Sequence, residues 1–396
     1  MLSFDEAWRR VIGSASVLST EAVALEEANG RVLSETLYAP SPMPAFDYSA
    51  MDGYAVDTTS FVDEVPFVFA IRGESRTGRP APALEPGTVC RIFTGAPLPA
   101  CADAVVMQED VTVTGDTACF RHAPPPGAHV RRAGEDLAAG AVALEAGTRL
   151  CPYQLGLVAA LDRDSVVVSR RPRLGILCTG DELRRPGSAP RAASIPESNS
   201  VVISALAQGA GARVTTLAPT SDSLDETRAK IAAALNDNDV LVTVGGVSVG
   251  DYDVVRPALQ AEGVVLELYK VAMKPGKPLT LGRRGAALVL GLPGNPMSAQ
   301  VTFALFGLPL LRRLQGERVV RRQPRRCRLA TPLRQKPGRR GFYPATLDAD
   351  VVTPVSGQAS GSTVSLARAH ALIVVPEDSG GYDANDVVDV FVLSEL

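Results

Sequence analysis

The stretch that most constrains this chain is Asp239-Val-Leu-Val-Thr-Val244 with the loop that follows it, Gly245-Gly-Val-Ser-Val-Gly250, and the acidic Asp251-Tyr-Asp253. An unbroken β-branched run is what a strand buried on both faces of a parallel sheet looks like; a half-exposed strand would alternate. Glycines placed directly after such a strand let the backbone approach a ligand. The free amides of the next helix end favour an anion there. Gly245, Gly246, Ser248 and Gly250 are therefore a candidate phosphate cradle. No Lys-Ser/Thr pair follows Gly250, so the loop is not a Walker A motif, and it lacks the G-x-G-x-x-G spacing of a dinucleotide fingerprint. A plain strand-to-helix turn remains open.

Two further loops sit between an apolar run and the next element, Lys274-Pro-Gly-Lys277-Pro278 and Gly291-Leu-Pro-Gly-Asn-Pro296. The chain has five lysines, at 230, 270, 274, 277 and 336, and otherwise uses arginine. Two lysines three apart, in a loop stiffened by two prolines, suit an oxyanion as point charges. The alternative is a pair of solvated surface lysines.

With 396 residues, two to four domains are expected. A formal charge of −3 gives no general drive toward nucleic acid or membrane. No apolar run of membrane-spanning length occurs, and the first residues do not read as a signal peptide. The six cysteines form no C-x-x-C pair, and three histidines argue against histidine-based metal or triad chemistry. Reduced thiols and a cytoplasmic location are the expectation.

In chain order, Phe4, Ala7, Trp8 and Val11 share a helical face behind a Ser3/Glu6 capping box. Val17–Ala28 continues in helix-favouring residues toward a stop at Gly30. Pro40-Ser-Pro-Met-Pro44 breaks the pattern. Short strands bounded by Gly, Pro and Asp fill 57–130, and Gly140 with Gly147 suggests a hairpin after Arg131–Asp136. A helix is expected at Tyr153–Ala160. From Pro172, strands and helices alternate: strands 173–178 and 214–218, helices 201–209, 224–235, 254–261 and 299–314. Asp181 and Glu182 follow the first of these strands, at the end where open parallel sheets bind ligands, and could hold a divalent cation. Asp253 is either a helix cap or a cation ligand. The basic run Arg312–Arg328 has no aromatic residue for base stacking and reads as a solvated linker. Residues 327–396 give short strands only.

Ser49-Ala-Met-Asp-Gly-Tyr-Ala-Val56, Thr94-Gly-Ala, Gly134-Glu-Asp136, Thr179-Gly-Asp-Glu-Leu183, Gly245–Asp253, Met273–Pro278 and Gly291–Ala299 together resemble the molybdopterin molybdenumtransferase family, which includes the E domain of gephyrin. The resemblance spans nearly the whole chain in order. It implies a multidomain α/β plus β protein with a central three-layer α/β domain and parallel sheet (172–320). An elongated N-terminal dimerisation domain (1–44 and 131–171), an inserted small β domain (45–130) and a C-terminal β-barrel-like domain (321–396) complete it. It implies insertion of molybdenum from molybdate into adenylylated molybdopterin with release of AMP, with Mg²⁺ as cofactor. Asp52, Glu182, Asp253, Lys274 and Lys277 would be catalytic, with Glu182 and Asp253 on the metal. Thr94, Asp136, Asp181, Asn199, Gly245, Gly246, Ser248, Gly250, Pro293, Gly294, Asn295, Pro296, Ser298 and Ser360 would bind substrate. The implied partners are a second copy of the chain, which would supply Asp52, a molybdopterin adenylyltransferase, and recipient apo-proteins.

One departure stands out. Pro344 occupies the position where the family usually carries an arginine, and Arg339 or Arg340 is left as the substitute. Two rival readings follow: an adenylyltransferase, which the extra N-terminal 170 residues and Asp52 oppose, and a non-catalytic binding or scaffold protein, which Pro344 favours.

Overall fold

A computed structural model describes residues 1–62, 65–220, 223–246 and 254–396. The chain forms two compact units. The first comprises Met1–Glu35, Ala146–Leu155 and Asp164–Leu396; the second comprises Thr36–Glu145 and Gly156–Arg163.

The first unit is built on an α/β sheet whose elements we number in chain order: β1 Arg173–Cys178, α1 Asn199–Gly209, β2 Arg213–Thr216, α2 Leu224–Asp237, β3 Val240–Val244, α3 Val255–Ala261, β4 Val265–Lys270, β5 Pro278–Arg284, β6 Ala287–Leu292, α4 Pro296–Thr302 and α5 Leu308–Leu314. The strand order is β2-β1-β3-β6-β5-β4. The first four run parallel; β5 and β4 add antiparallel. All five residues of β3 and all six of β6 are buried, which accounts for their unbroken apolar runs. Two clusters flank the sheet. One holds Ile176, Val242 and Leu290 with Ile203 of α1 and Phe306; the other holds Leu177, Leu241 and Val289 with Ile231 of α2 and Leu259 of α3. These are the three layers expected. Between α4 and α5 the helix passes through a π-helical turn, Phe303–Gly307, which interrupts the single helix expected over 299–314.

Strands 340–348, 351–354, 325–329, 387–392 and 371–375 pair in that order, and 371–375 returns to 340–348, closing a C-terminal barrel. Its interior is Leu329, Ala345, Val352, Ile373, Val388 and Val390.

The N-terminal region departs from expectation. Helix Phe4–Gly13 forms as read, with Ser3 Oγ accepting from the Glu6 N–H. Its continuation does not: Thr20–Ala24 is a strand, antiparallel to Ser165–Ser169. The helix-favouring composition of Val17–Ala28 is overridden by pairing with Ser165-Val-Val-Val-Ser169, whose β-branched residues present a ready ladder.

In the second unit six strands pair in the order 104–107, 53–56, 88–92, 67–75, 117–120, 111–114. Phe120, Phe67 and Tyr54 fill one face. The hairpin expected around 131–147 does not form. Val130–Arg131 pairs with Tyr48–Ser49, and Val142–Leu144 with Leu37–Tyr38, because each short strand finds a partner far back in the chain.

Candidate functional site

The carboxyl ends of the parallel strands are stitched to one another by backbone hydrogen bonds. Thr179 N–H donates to Val244 O (3.0 Å), Gly180 N–H to Thr220 O (3.3 Å) and Gly245 N–H to Leu292 O (3.1 Å). The loops after β1, β2, β3 and β6 therefore meet. Gly245 and Gly246 have φ of +87° and +61°, a region costly for residues with a Cβ. A Cβ on Gly245 would stand 2.7 Å from the Thr179 carbonyl oxygen. Gly294, in the loop after β6, comes so close that its own Cβ would be 3.5 Å from the Gly245 Cα. Asn199, at the start of α1, ties the same loop down: its Nδ2 donates to Gly294 O at 2.9 Å. The Asn199 Oδ1 is buried and has no partner. Asp181 and Glu182 are exposed at the tip of β1, with the Glu182 carboxylate folded over Gly180.

The lysine loop reaches this neighbourhood through α4. Gly276 (φ +99°) packs so tightly against helix α4 that any Cβ would collide with the Thr302 hydroxyl. Met273–Lys274 forms a short strand parallel to Arg340–Gly341 of the barrel, so the loop joins the two layers of the unit. The Lys274 Nζ lies 5.5 Å from the centroid of the Tyr343 ring, a cation–π contact that holds an otherwise mobile ammonium group. Lys277 is exposed, while its carbonyl accepts from Val271 N–H (2.9 Å).

At the other end of α4, Pro293 is buried and Pro296 is the first helical residue. Ser298 lies inside the first turn, 5% exposed; the helix starts three residues before the expected Ala299 because Pro296 is pre-set for its first position. Asn295 Nδ2 donates to Ser360 Oγ (3.0 Å), and Met297 N–H donates to Ser360 O (3.1 Å). A loop of the barrel therefore covers the amino end of α4. Asn199, Gly245, Gly246, Gly294, Asn295 and Ser360 are thus linked directly, and Lys274 and Lys277 are linked to them through α4. Ser248, Gly250 and Asp253 lie outside the described residues.

Asp52, Thr94 and Asp136 belong to the second unit. Both the Thr94 backbone N–H and its hydroxyl donate to Asp52 Oδ1, each at 2.7 Å. These two bonds, the backbone one foremost, hold the Asp52 carboxyl below the usual carboxylate range. Asp136 accepts from Arg131 Nη2 at 2.6 Å, the solvated turn that a structural role would give.

For several residues the structure adds contacts that the sequence does not show. Glu197, a buried acid, accepts from Ser200 N–H (2.9 Å), from the Ser200 hydroxyl and from the Cys178 thiol (3.4 Å). Burial beside Glu197 pushes the Cys178 thiol well up, so it is inert. The three-residue spacing of Glu197 and Ser200 was the available signal. Pro344 is buried in strand 340–348, its carbonyl accepting from Val355 N–H. Arg340 is held by Glu377 (2.9 Å) and Asp5 (2.9 Å). The Arg339 guanidinium has no hydrogen bond or ion pair among the described residues, and its charge favours the ionised form of Tyr343 against the burial that raises that phenol.

Among the described residues no three His, Cys, Asp or Glu side chains cluster as a metal cage. The acids at the strand tip, Asp181 and Glu182, are oxygen donors, which suits a hard cation that keeps waters and takes substrate phosphate oxygens.

Family models match almost the whole chain: the MoeA N-terminal region (domain I and II) over residues 2–161, a probable molybdopterin binding domain over 175–313, and the MoeA C-terminal region (domain IV) over 326–393. A molybdopterin molybdenumtransferase from Haemophilus influenzae is 35% identical, covering 100% of both chains. The chain belongs to the molybdopterin molybdenumtransferase family. Molybdopterin molybdenumtransferase 2 of Mycobacterium tuberculosis is 37% identical over 96% of both chains. Among solved structures, a molybdopterin biosynthesis moeA protein from Pyrococcus horikoshii OT3 matches 99% of this chain and 100% of its own, with a TM-score of 0.88 at 26% identity. Family membership accounts for the multidomain α/β plus β architecture.

Proposed function

We propose that this chain is a molybdopterin molybdenumtransferase acting in molybdenum cofactor biosynthesis. It takes adenylylated molybdopterin and molybdate, places molybdenum on the dithiolene and releases AMP. The observation that carries this reading is the convergence of the Gly245–Gly246 turn, the Pro293–Asn295 loop and Asn199 at one sheet edge, with the lysine loop packed on α4, in a chain matching the family over its full length.

In this reading backbone amides after β3, from Gly245 through Ser248 and Gly250, grip a substrate phosphate. Asn199 fixes the loop around Gly294 and offers its unpartnered Oδ1 to the pterin side. Lys274, held over Tyr343, and Lys277 bind molybdate, with Ser298 and Ser360 near the start of α4. Arg339, unpaired where Arg340 is committed, supplies the guanidinium that Pro344 cannot. Glu182, with Asp181 and Asp253, would hold Mg²⁺. When bound, that ion screens the phosphate charge and orients water for cleavage of the pyrophosphate. Asp52 comes from the second copy of a homodimer, with Thr94 keeping it ionised, and Asp136 supports the same region. The domain division 1–44 with 131–171, 45–130, 172–320 and 321–396 belongs to this proposal. So do a cytoplasmic location, supply by an adenylyltransferase and delivery to apo-proteins. No described helix is long and apolar enough to cross a membrane.

The test is AMP release from adenylylated molybdopterin in the presence of molybdate and Mg²⁺. Release above a heat-inactivated control that depends on molybdate supports the reading; none rejects it.

A further inference from the structure

The basic run beginning at Arg312 does more than link two regions. Arg149, Arg312 and Arg322 line a cleft of about 700 Å³, walled by Leu206, Leu308 and Leu393. It lies at the carboxyl end of α1, the opposite end from Asn199. An 11-residue helix puts about 15 Å between the two ends.

Three guanidinium groups share one buried carboxylate here. Arg149 Nη2 pairs with Glu317 Oε2 at 2.7 Å, Arg322 approaches Glu317 Oε1 at 3.6 Å, and Arg312 stands 3.9 Å from Oε2. Arg149 has a structural role as well, donating to Gly30 O (2.6 Å) and Ala210 O (3.5 Å). It and Glu317 neutralise each other, leaving the Arg312 and Arg322 guanidinium groups to face the cleft. Arg312 is 6% exposed yet donates no side-chain hydrogen bond among the described residues. The Arg322 Nε is buried with no partner. Glu395, one acid on the cleft wall, pairs with Arg325 at 3.6 Å, and Leu396 with its main-chain carboxyl lines the cleft beside it. Burial and the neighbouring Arg322 charge push the Arg312 guanidinium down to about 10, so it stays protonated at neutral pH. A buried guanidinium without a hydrogen bond, beside a half-exposed one whose Nε is buried and unpartnered, costs free energy unless an anion supplies acceptors.

We propose that this cleft is a second oxyanion site, taking a phosphate-type group between Arg312 and Arg322, with the leucine walls covering whatever the group is attached to. Guanidinium forks match phosphate oxygens bidentately. The site is separate from the sheet-tip crevice and does not depend on the transferase reading.

Isothermal titration at constant ionic strength tests it, with inorganic phosphate and a nucleoside monophosphate as separate probes. Lys274→Ala/Lys277→Ala protein serves as background, to weaken the sheet-tip site. Arg322→Gln, at a side chain 38% exposed, should fold normally and weaken one binding event by about tenfold, the effect of one lost charge-assisted hydrogen bond. Glu317→Gln should tighten the same event. Tighter binding of the monophosphate identifies an ester ligand; equal binding identifies the free ion. Unchanged isotherms in both Arg322→Gln and Glu317→Gln, or no phosphate binding in the lysine-variant background, overturn the proposal.

Discussion

Replacing either of two glycines that face each other should separate folding from ligand binding. Gly245→Ala puts a Cβ on a residue at φ +87°, and that Cβ would lie 2.7 Å from the Thr179 carbonyl oxygen. The left-handed backbone costs about 1–2 kcal/mol for an L side chain. A backbone clash of this kind adds about 1–3 kcal/mol, because Thr179 is itself held by Val244 O. Together that is about 2–5 kcal/mol, lowering the urea midpoint of the first unit by about 1–2 M. Gly294→Ala differs. Gly294 is not in the left-handed region, and its Cβ would meet only the Gly245 Cα at an ordinary 3.5 Å. Its stability should stay within about 0.5 kcal/mol of the parent. The added methyl nevertheless narrows the gap between the two loops. If a substrate phosphate enters there, kcat/KM for AMP release falls about tenfold or more. Urea unfolding followed by circular dichroism, beside steady-state AMP release, gives both numbers. Wild-type kinetics in Gly294→Ala together with a wild-type midpoint in Gly245→Ala would refute the reasoning.

Other consequences follow from single contacts. Thr94→Val removes the hydroxyl bond to Asp52 but keeps the backbone one, so the Asp52 carboxyl should rise toward its ordinary value. Its ionised form is present above the depressed folded value and lost as pH falls through it, so the acidic limb of the kcat profile should move to higher pH in Thr94→Val. Asp52→Asn should keep the fold and lose turnover, read by the same assay. Burial alone would raise the Asp239 carboxyl, but Arg170 (2.6 and 2.8 Å) and the Arg173 N–H (2.8 Å) outweigh it and hold it low. Asp239→Ala should therefore cost about 3 kcal/mol at pH 7, measured by urea melts, with the difference shrinking as pH falls through the native value. Arg339→Ala should raise the KM for molybdate several-fold without changing the midpoint; no change there removes Arg339 as the substitute for the family arginine.

What the sequence made legible was what local pattern carries. The strand Arg173–Cys178 and the glycine turn after Val244 follow from composition over a few residues, and they place the candidate site at the sheet edge. Thr20–Ala24 was misread because its strand character comes from Ser165–Ser169, about 145 residues later, which no local periodicity reports. The same holds for Lys274 over Tyr343 and for Asn295 with Ser360, contacts made when the barrel folds back on the α/β sheet. The start of α4 was placed three residues late because Pro296 starts the helix early. The arginine surplus around Glu317 looked like a linker because its carboxylate partner and the Arg149 that neutralises it are brought together only by the fold.

Anomalous scattering from molybdenum in crystals soaked with molybdate tests the central claim most directly. The account predicts a peak whose oxygens lie about 2.7–3.0 Å from the Lys274 or Lys277 ammonium, beside α4. Strong density elsewhere, with both lysines left in solvent, would contradict it.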